Sequence, residues 1–189
     1  MGQTIRIARK SLTLVRVLPI ADLGGLWARL GVPDLRYAAL CAFLTSAAAA
    51  FAAFQSSVPG RSPAWALLPL PPLALWLGFS GLGCLRSWIA SAANLAEPEE
   101  MRGCFAFLMS VSLPLSVLLV TMLRRACPLR PNLTAALAGL AAAAGAAALL
   151  VPFHPHDATA TDLLVHLVAV LIVVGLNGLL GARLLDRTA

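Results

Sequence analysis

Hydrophobic runs of membrane-spanning length fill most of the chain after residue 57. Four runs follow one another with short polar islands between them, at residues 63–83, 105–123, 133–153 and 163–182. Each holds about 20 residues, which at 1.5 Å per residue matches the roughly 30 Å hydrocarbon core of a bilayer. A weaker fifth run, residues 37–54, is mostly alanine around three phenylalanines, which indicates a helix packed on other helices rather than a strong lipid anchor. The pattern predicts an all-α, polytopic transmembrane helical bundle.

The start of the chain contains a possible sixth span. Residues 12–27 are the one further apolar stretch, but Arg16 and Asp22 interrupt it. A charge at the bilayer centre costs at least about 2.5 kcal/mol, so this stretch is a poor span. We therefore divide the chain into a basic, interfacial N-terminal segment, residues 1–36, and a transmembrane bundle, residues 37–189. The bundle has five clear spans, and the segment before it holds a possible degenerate sixth.

The composition supports this division and narrows the class of protein. Hydrophobic residues make up 60% of the chain, charged residues 12%, and the mean hydropathy is +0.87. About a quarter of the residues in a soluble globular domain are charged. These values exclude a disordered chain and a secreted disulfide scaffold. The spans also leave no stretch long enough for a separate soluble domain.

The formal net charge of +6 comes from arginines placed at the ends of the apolar runs. That placement indicates membrane orientation rather than direct nucleic-acid binding, because basic residues in short loops stay on the cytoplasmic side. Four basic clusters fall at alternate ends of the spans: Arg6, Arg9 and Lys10; Arg61; Arg124, Arg125 and Arg130; Arg183 and Arg187. We expect these clusters, and the C-terminus, to be cytoplasmic. Most acidic residues lie in the remaining, outer islands.

The islands carry motifs with a recognisable pattern. The motifs are Val58-Pro59-Gly60-Arg61-Ser62, Gly83-Cys84-Leu85-Arg86-Ser87-Trp88, Cys104-Phe105-Ala106-Phe107, Leu129-Arg130-Pro131 and Phe153-His154-Pro155. With the runs between them, over about residues 36–185, they resemble the NrsF family, negative regulators of the sigma-F type of extracytoplasmic-function sigma factor. The resemblance implies a bacterial inner-membrane anti-sigma factor with six spans. Such a protein holds its sigma factor through an N-terminal segment and releases it on periplasmic metal or oxidant stress, sensed by a cysteine pair.

Cys84 and Cys104 are the candidate sensor cysteines. They fall at opposite ends of one predicted outer island, where antiparallel neighbouring helices can bring two thiols together. A bridge requires their Cα atoms within about 7 Å. In the oxidising periplasm such thiols form a disulfide or bind a soft metal; the alternative is that each is a small buried packing residue.

Three histidines add further candidates. His154 and His156 lie with Asp157 on the last outer island, a ligand set that fits zinc or another borderline divalent metal. A proline separates the two histidines, so the alternative is a solvated turn. His166 lies one turn inside the last run, where it either makes an interhelical hydrogen bond or couples acidity to helix packing.

The resemblance makes an extracytoplasmic-function sigma factor the expected partner, beside the lipid bilayer. The expected partner-facing basic surface is Arg6, Arg9, Lys10, Arg61, Arg124, Arg125 and Arg130. No cofactor and no enzymatic activity are expected, since the sequence has no Ser/His/Asp set at usable spacing and no phosphate-binding loop. Two alternatives remain: a small membrane permease or channel subunit, suggested by proline-broken spans, and a degenerate family member that binds nothing, suggested by the interrupted first run.

Overall fold

The structure is a computed structural model that describes residues 31, 33–90, 98–126, 128–151 and 160–185. Five long helices follow one another: α1 Pro33–Ser57, α2 Leu70–Ala90, α3 Pro98–Leu123, α4 Pro131–Leu150 and α5 Ala160–Leu185. Two short 3₁₀ helices, Pro63–Leu67 and Arg124–Ala126, complete the regular structure of these ranges. The described part contains no strand.

All five predicted spans are present as helices long and apolar enough to cross a membrane. They cover Leu35–Ser57, Pro63–Leu85, Met101–Ala126, Pro131–Leu150 and Leu163–Leu185. The all-α membrane fold is therefore confirmed. Helix α1 begins four residues before the domain boundary expected at residue 37. The possible sixth span, residues 12–27, lies outside the described residues.

Helix α4 is the centre of the bundle and packs on α1, α3 and α5. Its sequence holds ten alanines and two glycines in 20 residues. Small side chains allow helix backbones to approach closely within a membrane, where lipid tails are as apolar as leucine and burial alone drives no association. This helix is accordingly the most enclosed of the five: 67% of its most apolar 18 residues are buried.

Helix α1 separates its small residues from its large ones. Ala49 and Ala52 are fully buried, whereas Phe43 and Phe51 face outward at 62% and 47% exposure. On the buried side, the Ser46 hydroxyl donates a hydrogen bond to the Ala141 carbonyl of α4 at 2.8 Å. The expectation that this alanine-rich run packs on other helices is confirmed, and its phenylalanines form the surface toward lipid.

Helix α2 lies at the periphery, packed on α1 and more lightly on α5. Two aromatic contacts hold it and its leading 3₁₀ helix to α1: Tyr37 with Phe79, ring centroids 5.3 Å apart, and Phe51 with Trp65 at 5.6 Å. Only 11% of its span is buried. The turn from α1 contains Gly60 at φ 81°, a left-handed conformation that glycine adopts without strain.

Helices α3 and α5 run parallel to each other. Helix α4, which lies between them in the sequence, runs in the opposite direction. Their contacts keep a nearly constant spacing along the chain: 62 residues separate Cys104 from His166 and 61 separate Ser116 from Asn177. Leu123 and Leu185, near the other end, belong to one core cluster. The two helices therefore start together at one end of the bundle and finish together at the other.

Candidate functional site

One end of the bundle contains three of the four cysteines of the chain. Helices α1, α3 and α5 begin at this end and α2 finishes there, so it contains Cys41, Cys84, Cys104 and His166. We call it the thiol end. All three of these cysteines are buried, at 7–8% exposure, and they are thiols rather than halves of a disulfide.

Cys104 and His166 face each other across the α3–α5 contact. The Cys104 sulfur lies 4.0 Å from Nδ1 of His166. Each residue lies three positions after the start of its membrane span, which is about one helical turn. The parallel direction of the two helices thus places a thiol and an imidazole at the same depth. Sequence reasoning had not paired these two residues, because their 62-residue separation becomes a contact only through the parallel packing.

Cys84 has a different setting. It lies near the end of α2, which packs mainly on α1 and more lightly on α5. Cys104 belongs to the core cluster that also contains Cys41 and Trp76. The structure therefore brings Cys104 to His166, and joint action of Cys84 with Cys104 stays a prediction.

The other expected ligands fall in residues that are not described. His154 and His156 belong to residues 152–159, between α4 and α5, outside the described part of the chain. Within the described ranges, no group of three His, Cys, Asp or Glu side chains is placed to hold a metal ion. Among the described side chains at the thiol end, one sulfur and one ring nitrogen are in contact, those of Cys104 and His166.

A polar contact in the middle of the bundle fixes α3 against α5. The Ser116 hydroxyl donates to Oδ1 of Asn177 at 2.7 Å, and Nδ2 of Asn177 donates to the Val173 carbonyl at 2.8 Å. Gly139 of α4 lies directly opposite, where an added Cβ would stand 3.0 Å from that carbonyl. A satisfied amide among apolar helices favours one register, since a slipped register would leave its polar atoms unpaired in a dry environment.

The same two helices finish at the opposite end, which we call the arginine end. Four exposed arginines and one half-buried arginine lie there: Arg61, Arg125, Arg130, Arg183 and Arg124. At the thiol end, Arg36 and Arg102 are exposed, and Arg86 belongs to the last turns of α2. The charge asymmetry between the ends is real but partial. The first basic cluster, Arg6, Arg9 and Lys10, lies outside the described residues.

The comparison with known families agrees with the motifs. A family model described as NrsF, negative regulator of sigma F, matches residues 13–186, nearly the whole chain. Searches of curated proteins and of solved structures found no significant match. The family description denotes a regulator of a sigma factor and names no catalytic activity. The chain, a helical membrane protein with a thiol end and an arginine end, belongs to the NrsF family of negative regulators of sigma F.

Proposed function

We propose that this protein is an inner-membrane anti-sigma factor that sequesters an extracytoplasmic-function sigma factor of the sigma-F type at its arginine end. Metal or oxidant reaching the thiol end, on the periplasmic side, releases the sigma factor. The observation that carries this proposal is the placement of both groups on the same two helices. Cys104 and His166 lie near the starts of α3 and α5, and arginines lie at or just beyond their ends.

The shared helices supply a physical route between the two ends. The Ser116–Asn177 hydrogen bond holds α3 and α5 in one register, so a change at their starts moves them together. A signal that binds two helix arrangements with affinities differing by about 1–3 kcal/mol is enough to shift such an equilibrium several-fold or more.

The arginine end supplies a surface for an acidic partner. Arg61, Arg125 and Arg130 are exposed, and Arg124 is half-buried beside them. Arg6, Arg9 and Lys10 add to this surface if the N-terminal segment lies on the same side. Anionic lipid headgroups attract the same side chains by about 1 kcal/mol each, so binding of the sigma factor has to compete with the membrane surface.

The signal acts on the thiols. Cys84 and Cys104, with His154 and His156, receive it by metal capture or by oxidation, in which two thiols become a disulfide and give two electrons and two protons to the oxidant. Either event ties together the helix ends that carry these residues.

Co-purification with an extracytoplasmic-function sigma factor from the same organism tests the proposal. We expect retention of the sigma factor from unstressed membranes and its release by oxidant or cadmium, and no release in Cys84→Ser/Cys104→Ser. Arg125→Glu/Arg130→Glu should abolish retention, because it reverses charge at the arginine end. The matched control, Arg36→Glu/Arg102→Glu, reverses the same number of charges at the thiol end and should retain the sigma factor. Equal loss in both double variants, or no retention by the wild type, contradicts the proposal.

A further inference from the structure

We propose that a groove between α1 and α3, with α4 as its floor, holds one acyl chain of an anionic phospholipid whose phosphate is bound by Arg36. The groove has a volume of about 610 Å³, within the roughly 300–1,000 Å³ typical of small-molecule sites. It forms because α1 and α3 each pack on α4 but meet each other only slightly. This lipid site goes beyond the function proposed above and involves neither the thiols nor the sigma factor.

The lining of the groove is apolar over most of its length. Its walls include Phe43 of α1 and Leu115 of α3, and its floor on α4 includes the small residues Gly145 and Ala148. Ser46 also lines the groove, but its hydroxyl donates to a backbone carbonyl of α4 at 2.8 Å, so this donor is used within the protein. Such a lining suits a hydrocarbon chain rather than a polar ligand.

The groove runs from the membrane surface to the middle of the bilayer. The first membrane span begins at Leu35, so Arg36 lies at its surface end, and Ser46 lies ten positions further along α1. At 1.5 Å per residue these positions are about 15 Å apart, which is half of the roughly 30 Å hydrocarbon core. An acyl chain that enters beside Arg36 therefore reaches the midplane at Ser46 and stays within its own leaflet.

Arg36 supplies a positive charge at the surface end of the groove. Its guanidinium lies over the Tyr37 ring, with Cζ 5.1 Å from the ring centroid, and donates to the Tyr37 hydroxyl at 3.3 Å. Tyr37 in turn packs on Phe79 of α2, so three helices contribute to the position of this charge or of the groove beneath it. A guanidinium carries five N–H donors, and one hydrogen bond to Tyr37 leaves donors for a phosphate. A lipid with a net negative headgroup complements this arginine better than a zwitterionic lipid does.

Native mass spectrometry of the purified, delipidated protein in detergent tests the site. With phosphatidylglycerol added, we expect one bound lipid per chain. Phosphatidylcholine should bind about fivefold more weakly, because one arginine at the membrane surface favours a negative headgroup by about that factor. Inorganic phosphate should not displace phosphatidylglycerol, since it has no chain to fill the groove.

Two pairs of variants locate the lipid. Leu115→Trp fills the groove and should remove the bound lipid, whereas Leu113→Trp places the same ring on the exposed side of α3 and should retain it. Arg36→Gln should weaken phosphatidylglycerol binding about fivefold. Arg102→Gln, which removes another exposed arginine at the thiol end, should leave binding unchanged. Thermal unfolding in detergent shows whether the variants are folded; if Leu115→Trp is not, the two arginine variants decide the outcome.

Equal retention of lipid by Leu115→Trp and the wild type would overturn the proposal, because the lipid would then lie elsewhere. Equal weakening by Arg36→Gln and Arg102→Gln would also overturn it, since that result indicates a general attraction to the thiol end. A wild type that binds no phosphatidylglycerol would overturn it as well. In that case a mass of two chains, lost in Leu115→Trp, would assign the groove to a second copy of the protein, and a bare monomer would mean that the groove takes no lipid.

Discussion

Helices α4 and α2 are both apolar and both span the membrane, yet they have opposite environments. The span containing α4 is 67% buried and the one containing α2 is 11% buried. Helix α4 is built from alanine and glycine and contacts three helices; α2 carries leucines such as Leu75 and Leu77 outward and rests on aromatic side chains. In a soluble protein the larger residues would mark the core. Within a bilayer the smaller residues mark it, because close backbone approach replaces burial from water as the source of attraction.

The largest effect is expected when one residue of each helix is replaced by phenylalanine. Ala138 of α4 is fully buried in the core cluster with Ala53 and Val120, and Leu75 of α2 is 55% exposed. We expect Ala138→Phe to destabilise the fold by about 3 kcal/mol or more, since inserted volume forces the neighbouring helices apart. Leu75→Phe should leave unfolding in detergent nearly unchanged. Similar melting of both variants would show that α4 is not the packed centre.

A smaller change uses one methyl group at a glycine in each helix. At Gly139 of α4 an added Cβ would stand 3.0 Å from the Val173 carbonyl and 3.1 Å from Asn177, whereas at Gly78 of α2 it would meet nothing within 4 Å. Gly139→Ala should cost about 1–2 kcal/mol by pushing α5 away. Gly78→Ala should be neutral or stabilising by up to about 1 kcal/mol, because alanine is the better helix former. A stabilising Gly139→Ala would mean that α4 and α5 are not in close contact there.

The smallest effect concerns the attachment of α2. Phe79→Leu keeps an apolar side chain but removes the ring contact with Tyr37. Aromatic pairs contribute about 0.5–1.5 kcal/mol beyond their buried area. A loss near the lower limit is expected here, because Tyr37 is 41% exposed. Phe51→Leu, which removes the contact with Trp65, is the matched variant on α1. Limited proteolysis near α2 should increase in both variants while α3–α5 stay protected; loss of the whole bundle would contradict a peripheral α2.

The sequence predicted the spans well, because run length and hydropathy measure the fit to a bilayer directly. It also identified α1 as a packed helix from its alanines. It did not single out α4 as the centre, although the same alanine signal is stronger there than in α1. A high alanine content indicates that a helix is closely packed, but it does not indicate how many other helices pack against it.

The candidate site was less predictable for a geometric reason. Cys84 and Cys104 are 20 residues apart and flank one island, so chain connectivity suggested a pair. Helix neighbours in a bundle are set by side-chain shape over the whole span, and the structure places α3 against α5. Joint action of Cys84 and Cys104 remains a prediction. Cys104 and His166 were both noted as individual candidates from the sequence. Their contact, and that of Ser116 with Asn177, depends on a parallel alignment that no local pattern encodes.

The constant offset between α3 and α5 also limits how this chain can change in evolution. A one-residue deletion between Cys104 and Ser116 would turn one half of α3 by about 100° relative to the other, so the two residues could no longer both reach α5. A matching deletion in α5 would restore the spacing along the helix axes but would turn Asn177 out of the interface as well. Length changes in the intervening loops carry no such penalty. Across related sequences, gaps should therefore be frequent in the islands and rare between the two contact positions of α3 and of α5.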